Sequence, residues 1–255
     1  MRWLLFGVML VPVTVDAAPV RDADQAARYD ACLGLIETNP EQAIDRATQW
    51  RGQANGGVPA RHCLALALAA KGNYAEAATA LEATARAAEA EHDPNVADLW
   101  GQAGNAALLS GKPAVAAGYL TSGIAASGAA SGRTAALLAD RARASVELDK
   151  LADARADLDR ATRLDPQAPV GWLLRATLAR REHDLPAAER AILEAGHHAP
   201  GDPDIGLEAG NIAAAQGRTA LAHRAWHAVV TGAPGSPAAA AAAKLLAANP
   251  AGLYD

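Results

Sequence analysis

The sequence predicts an all-α solenoid of about six helix-turn-helix repeats, followed by a C-terminal capping helix. Alanine makes up about a quarter of the 255 residues, and it combines the highest helix propensity with a side chain small enough for close helix packing. Alternating runs of β-branched and aromatic residues, which would indicate strands, are missing from the sequence. The third observation is self-similarity with a period of about 34 residues, which is typical of stacked helical repeats.

A series of alanines carries the period, with spacings of 34, 39, 38, 34 and 34 residues. The series is Ala43, Ala77, Ala116, Ala154, Ala188 and Ala222. Twelve residues before each alanine stands a small residue, in order Ala31, Ala65, Gly104, Ala142, Ala176 and Gly210. Four residues after each comes a further apolar residue, in order Ala47, Leu81, Leu120, Leu158, Ile192 and Trp226. Small residues let paired helices approach, and the larger residue fills the remaining groove. The two longer spacings predict insertions around residues 91–95 and 127–132.

These features resemble the tetratricopeptide repeat, whose pattern is Trp-x2-Leu-Gly-x2-Tyr, then Ala-x3-Phe, then Pro. The best matches are Trp100-x2-Ala103-Gly104 with Ala116-x3-Leu120, and Trp172-x2-Arg175-Ala176 with Ala188-x3-Ile192 and Pro200. The resemblance covers residues 24–236. It implies a right-handed superhelical α-solenoid in which first helices line a concave face and second helices line the outside.

The period divides the chain into units of nearly constant length. We expect a signal peptide at 1–17, a short segment at 18–23, repeats at 24–57, 58–91, 97–130, 135–168, 169–202 and 203–236, a capping helix at 237–249 and a tail at 250–255. Ser236 is a suitable N-cap for the last helix, Pro237 suits its first position, and Asn249-Pro250 stops it. The alternative for this segment is a disordered alanine-rich tail.

The first residues resemble an export signal. Arg2 precedes an apolar run over residues 3–15, and Val15-Asp16-Ala17 offers a small-residue cleavage site after Ala17. The alternative is an uncleaved anchor, but a membrane span needs roughly 20 apolar residues and this run is shorter. The sequence therefore predicts a periplasmic or secreted protein with no membrane span after cleavage.

The charge and the cysteines limit the function classes. A net charge of −5, with Lys and Arg dispersed among Asp and Glu, argues against nucleic acid as a partner. The only two cysteines, Cys32 and Cys63, fall in the first helices of the first two units. In an exported protein they are expected to form a disulfide, with two free buried thiols as the alternative.

Catalytic and metal motifs are not apparent in the sequence. It contains no glycine-rich phosphate loop, nucleophile elbow or His-Glu-x-x-His pattern. His223 and His227 are spaced to share one helix face, but two histidines do not specify a metal site, and we expect both to be solvated. Asp153 and Asp157 lie on a second helix, where solvated surface charge is expected. We therefore predict a protein without cofactor or metal that is not an enzyme.

The predicted function is binding of a protein or peptide in the concave groove, as a scaffold or adaptor. In the family, the position after the small residue faces the ligand, and Asn105 and Asn211 there resemble the asparagines that hold a peptide backbone. The candidate residues are Asp98, Gln102, Asn105, Asp140, Arg143, Thr177, Arg180, Glu208 and Asn211. The alternatives are residues that merely solvate the inner face, a self-associating component of an envelope assembly, and a metal-binding or enzymatic protein. Partner identity and oligomeric state are open at this stage.

Overall fold

The computed structural model describes residues 19–53, 55–128 and 132–249, with side chains from residue 23 onward. The signal peptide expected at 1–17 and the tail expected at 250–255 lie outside the described residues. Among the residues described, no helix has the length and apolar character needed to cross a bilayer.

Thirteen helices and no strand occur in the described part of the chain. In order they are α1 (Pro19–Thr38), α2 (Pro40–Arg51), α3 (Gly57–Ala70), α4 (Tyr74–Glu91), α5 (Val96–Leu109), α6 (Pro113–Ala126), α7 (Gly132–Glu147), α8 (Leu151–Leu164), α9 (Pro169–Arg181), α10 (Leu185–His198), α11 (Pro203–Ala215), α12 (Thr219–Gly232) and α13 (Pro237–Ala248). Helices adjacent in sequence are adjacent in space, from α1 and α2 through to α12 and α13. The predicted all-α repeat fold is confirmed. Its first helix begins at Pro19, five residues before the repeats were expected to start.

The turns between paired helices follow local chemistry. Gly72, Gly111 and Gly217 have φ values of 81°, 72° and 74°, which a residue without a Cβ adopts at no steric cost. In the fourth and fifth units the equivalent left-handed residues are Asp149 at 58° and His183 at 61°. Asp and His tolerate this region better than most residues, so the turn keeps the same shape without glycine.

The small and large residues of the repeat pattern meet inside each unit. A Cβ on Gly104 would lie 2.5 Å from Leu120 Cγ, and a Cβ on Gly210 would lie 2.4 Å from Cδ1 and Nε1 of the Trp226 indole. The alanines of the series are all at most 1% exposed. The helices of a pair are therefore as close as these side chains permit, which is the packing that the sequence pattern predicts.

The first unit departs from this register by one residue. Ala31 is exposed, and its neighbour Cys32 takes the buried position. Cys32 forms the predicted disulfide with Cys63, which is fully buried, with 6.3 Å between the two Cα atoms. The disulfide joins α1 to α3, so the first helices of two successive units are covalently linked.

The odd-numbered helices form the inner row of the solenoid. Contacts join α1 with α3, α5 with α7, α7 with α9, α9 with α11 and α11 with α13. No two successive even-numbered helices make contacts of that extent in the described residues. A stack curves toward the row whose members lie closer together, so the odd-numbered helices line the inner face, as the resemblance implies. The pair α3 and α5 is the exception in this row, since it also lacks such contacts.

One expectation about surface charge is wrong. Asp157 on α8 is 8% exposed, whereas a solvated carboxylate was expected there. Its two oxygens accept hydrogen bonds from Arg141 on α7, from Nε at 2.8 Å and from Nη2 at 2.7 Å. The same bonds raise the pKa of the Arg141 guanidinium. Sequence spacing could not reveal this pairing because the two residues lie on different helices.

Candidate functional site

All nine predicted binding residues lie on odd-numbered helices. Asp98, Gln102 and Asn105 are on α5, Asp140 and Arg143 on α7, Thr177 and Arg180 on α9, and Glu208 and Asn211 on α11. This placement puts them on the inner row of the solenoid. The structure also shows that most of them are hydrogen-bonded to one another or to neighbours, in three separate groups.

The first group bridges three successive first helices. The Tyr29 hydroxyl lies 2.7 Å from His62 Nδ1, and His62 Nε2 lies 2.6 Å from the side-chain oxygen of Gln102. Because the Gln102 oxygen only accepts, His62 carries its proton on Nε2 and accepts from Tyr29 at Nδ1. The rings of Tyr29 and His62 stack with their centroids 5.8 Å apart. Of these three residues, only Gln102 was identified from the sequence.

The second group joins α5 to α7. The Asn105 amide nitrogen donates to Asp140 at 2.9 Å, and Arg143 donates to the other oxygen of Asp140 at 3.2 Å. The side-chain oxygen of Asn105 is buried and accepts no hydrogen bond. Nearby, Asp98 pairs with Arg133 at 2.7 Å. The Asn105 amide nitrogen thus has a partner in Asp140, whereas its buried side-chain oxygen has none.

The third group joins α9, α11 and α12. Arg180 donates two hydrogen bonds to Glu208, at 2.7 and 3.1 Å, although Glu208 is only 6% exposed. Asn211 donates to Glu208 at 3.2 Å and accepts from the Trp226 indole at 3.2 Å. Both the donor nitrogen and the acceptor oxygen of this amide thus have a partner within the protein. In this structure Asn211 positions Glu208 and Trp226, and it differs in this respect from Asn105.

A cleft of about 250 Å³ opens between α7 and α9, and we call it the α7–α9 cleft. Val146, Leu174 and Leu178 provide an apolar floor beneath it. Its lining also includes the charged side chains of Arg143, Glu147 and Arg181 and the hydroxyl of Thr177. The Thr177 hydroxyl donates to the carbonyl of Leu173 at 3.0 Å, so this side chain has a fixed orientation.

A second cavity, of about 470 Å³, lies between α1, α3 and α5, and we call it the N-terminal cavity. Its lining residues are Gln25, Ala26, Tyr29, Val58, Pro59, His62, Asp93, Asn95, Asp98, Leu99 and Gln102. Sequence reasoning identified two of these, Asp98 and Gln102. The same spacing could have identified Tyr29 from the sequence, because Tyr29 lies two residues before Ala31, as Gln102 lies two residues before Gly104.

Burial controls the charge state of this cavity's histidine. Desolvation lowers the pKa of the His62 imidazole, while the hydrogen bond to Gln102 and the negative charge of Asp93 partly oppose that shift. Burial likewise raises the pKa of the Tyr29 phenol, with a smaller contribution from Asp30. Both groups are consequently neutral at neutral pH.

The lowered pKa of His62 predicts a pH dependence of stability. Below the ordinary histidine value of 6.5, the unfolded chain binds a proton at this residue before the folded chain does. The free energy of unfolding should therefore fall as pH drops from 6.5 toward the folded-state pKa, by at most about 1.4 kcal/mol per pH unit. Urea titrations between pH 7.5 and 5 should show a smaller slope in the His62→Gln variant than in the wild type. His227→Gln, which removes an exposed imidazole, is the control, and an unchanged slope in His62→Gln would contradict the prediction.

The predicted metal-site candidates, His223 and His227, do not share one environment. His227 is exposed, but the His223 ring lies 6.0 Å from the Trp226 ring, and its Nε2 is buried without a hydrogen-bond partner. His223 was expected to be solvated, but it is only partly exposed and its Nε2 is not in contact with solvent. Over the described residues, no three His, Cys, Asp or Glu side chains are grouped so that they could hold a metal ion.

Comparison with known proteins gives similarity at the level of structure. No protein-family model matches the chain, and a comparison with curated proteins finds no match. PilF of Pseudomonas aeruginosa superimposes with a TM-score of 0.64 at 18% identity, covering 90% of this chain and 99% of PilF. PilW, described as a widely conserved type IV pilus biogenesis factor, gives 0.65 at 15% identity, covering 86% and 97%. MamA from Desulfovibrio magneticus RS-1 gives 0.57 at 18% identity, covering 70% and 97%. These neighbours are tetratricopeptide-repeat proteins, and the chain has the tetratricopeptide-repeat fold.

Proposed function

We propose that this protein is a non-catalytic scaffold or adaptor that binds a peptide or a partner protein on its inner face. The observation that carries the proposal is the α7–α9 cleft. It combines an apolar floor with charged and hydroxyl groups on the face where the repeat places ligand-facing residues. Recognition sites for small segments commonly have this composition, an apolar base with a few fixed polar groups.

The charged groups of the cleft are available for a partner. Arg181 and Glu147 are exposed, and neither takes part in any ion pair within the described residues. Arg143 pairs with Asp140 through one nitrogen, which leaves other guanidinium donors free. An extended segment could therefore place an apolar side chain on the floor while its carbonyl or carboxylate oxygens accept hydrogen bonds from the arginines.

The periplasm is the proposed location. Disulfides persist in oxidising compartments, and this chain links its only two cysteines through one. The expected signal peptide at residues 1–17 is a further reason for this proposal, and its test is the N-terminal sequence of the mature protein. A mature chain that begins at Ala18 is the expected result, and retention of Met1 would contradict cleavage.

Site-specific crosslinking tests the binding face. A photoreactive amino acid at position 147, beside the cleft, should crosslink a discrete partner in periplasmic extract. The same group at position 193 is the control, because Leu193 is 67% exposed on α10, in the outer row. Equal crosslinking from both positions would count against the inner face. A product formed by two copies of this chain would favour the alternative, a self-associating envelope component.

Charge reversal tests the contribution of the two arginines. The Arg143→Glu, Arg181→Glu double variant should reduce crosslinking from position 147 about tenfold or more, because it places carboxylates where the partner's acceptors lie. Arg190→Glu with Arg224→Glu changes the net charge equally at exposed sites on α10 and α12 and should leave the yield unchanged. Equal losses in the two double variants would indicate a nonspecific charge effect and contradict the assignment.

A further inference from the structure

The N-terminal cavity lies where the chain departs from its own repeat. The spacing of 39 residues between Ala77 and Ala116 mainly reflects a longer α4, which has 18 residues where α6, α8, α10 and α12 have 14 each, while the connection from α4 to α5 has the usual length. That connection contains His92 in a left-handed conformation, with φ of 56°, and it contributes Asp93 and Asn95 to the cavity lining. The first helices on either side of it, α3 and α5, are the pair in the inner row that lacks extensive contact. The longer α4 thus ends beside a recess in an otherwise closely packed row.

One wall of the cavity is apolar and aromatic. Val58 and Leu99 are buried side chains that contribute to the lining, and Pro59 lies beside them. The stacked rings of Tyr29 and His62 form a further part of the wall, and their hydrogen bonds to each other and to Gln102 hold them in place. Such a wall suits an aliphatic chain or the face of a planar cation.

The charge of the cavity is negative. Asp93 uses one carboxylate oxygen to accept from the backbone and side-chain nitrogens of Asn95, at 2.7 and 2.9 Å. Asp98 pairs with Arg133, which lies outside the lining. None of the residues that line the cavity is Lys or Arg, and His62 is neutral because burial lowers its pKa. Asp93 therefore has no cationic partner within the described residues.

We propose that the N-terminal cavity receives a lysine or arginine side chain of the bound partner. The proposal rests on the proposed function and adds a specificity element to it. The apolar wall accommodates the methylene groups of the basic side chain, and Asp93 and Asp98 accept its terminal hydrogen bonds. A cavity of about 470 Å³ is within the range of roughly 300–1,000 Å³ that is usual for ligand sites. An acidic side chain is disfavoured because it would face the unpaired carboxylate of Asp93 and find no Lys or Arg in the lining.

The occupant can be tested with small probes and the full-length protein, without the natural partner. N-acetyl-arginine amide and N-acetyl-lysine amide are each titrated into the protein. N-acetyl-norleucine amide, which has a similar stem without charge, and N-acetyl-glutamate amide are titrated in the same way for comparison. Binding is followed by NMR through the His62 ring signals, which the His62→Gln variant assigns. The basic probes should give saturable shifts with a Kd about tenfold lower than that of norleucine amide, and the glutamate probe should give none.

The Asp93→Asn variant tests the contribution of the negative charge of Asp93 to binding. Asparagine retains an oxygen that can accept from Asn95, so the connection between α4 and α5 should keep its conformation. The variant should raise the Kd of the arginine probe about fivefold or more, whereas Glu194→Gln, an equal charge change on the exposed surface of α10, should not. Norleucine amide binding as tightly as the basic probes, or Asp93→Asn binding arginine like the wild type, would overturn the proposal.

These outcomes are independent of the test of the α7–α9 cleft. If the protein crosslinks its partner at position 147 but does not bind the basic probes, the proposed function is supported and the cavity proposal is contradicted. If the protein binds the basic probes but gives no crosslink at position 147, the cavity proposal is supported and binding at the α7–α9 cleft is contradicted.

Discussion

Replacing both cysteines, in the Cys32→Ala, Cys63→Ala variant, should lower the free energy of unfolding of the N-terminal units by about 3–4 kcal/mol. The crosslink closes a loop across a sequence separation of 31 residues, and in the chain-entropy description such a loop restricts the unfolded state by that amount. Alanine is preferred to serine because Cys63 is fully buried and a hydroxyl there would need a hydrogen-bond partner.

The position of the disulfide makes its effect local. Each unit of a solenoid contacts only its neighbours, so the terminal helices have the fewest interactions to replace a lost crosslink. Amide hydrogen exchange should therefore accelerate in α1 and α2 of the double variant, while α7 to α12 keep their protection. Reductant should reproduce the effect in the wild type and have none in the variant. Equal stability of the oxidised and reduced wild type would contradict the prediction.

The repeat register was predictable because it follows from steric volume. Every unit pairs a small residue on its first helix with a residue sixteen positions later, and in five of six units the small residue is buried as expected. Ala31 fails because a covalent bond fixes α1 through its neighbour Cys32. In an alanine-rich helix, a shift of one residue changes little in the sequence pattern, so the pattern could not detect it.

The turn residues show a related limit of prediction from the sequence. Glycine occupies the turns at Gly72, Gly111 and Gly217, where φ is positive. Asp149 and His183 adopt the same conformation without glycine. Asp and His tolerate a left-handed conformation but do not require it, and the packing of the adjacent helices selects it.

The candidate binding face was predictable in position but not in connectivity. Helical periodicity places residues such as Asn105 and Asn211 on the first helices, and the structure has both there. Whether an amide is free depends on residues about thirty positions away or on another helix, such as Asp140 and Trp226. The N-terminal cavity depends on the separation of α3 from α5, and the sequence indicates only that residues are inserted beside it.

The Gly210→Ala substitution should destabilise the last repeat by about 1–3 kcal/mol, although alanine is the better helix former. A Cβ at this position would overlap the five-membered ring of the Trp226 indole. The ring is 2% exposed and donates to Asn211 at 3.2 Å, so it has little freedom to move away. Gly118→Ala is the matched control. No atom lies within 4 Å of that Cβ position, and the change should stabilise by up to about 1 kcal/mol.

The decisive comparison is a double-mutant cycle with Trp226→Leu. An alanine opposite a leucine is the natural combination at Ala65 with Leu81 and at Ala142 with Leu158, where both side chains are buried. Gly210→Ala should therefore cost much less in the Trp226→Leu background, where the shorter side chain leaves room, and the coupling energy between the two sites should be about 1–2 kcal/mol. Urea denaturation of the four proteins measures it. If Gly210→Ala costs the same in both backgrounds, the clash with the indole is not its cause, and steric pairing would not explain the glycine at this position of the repeat.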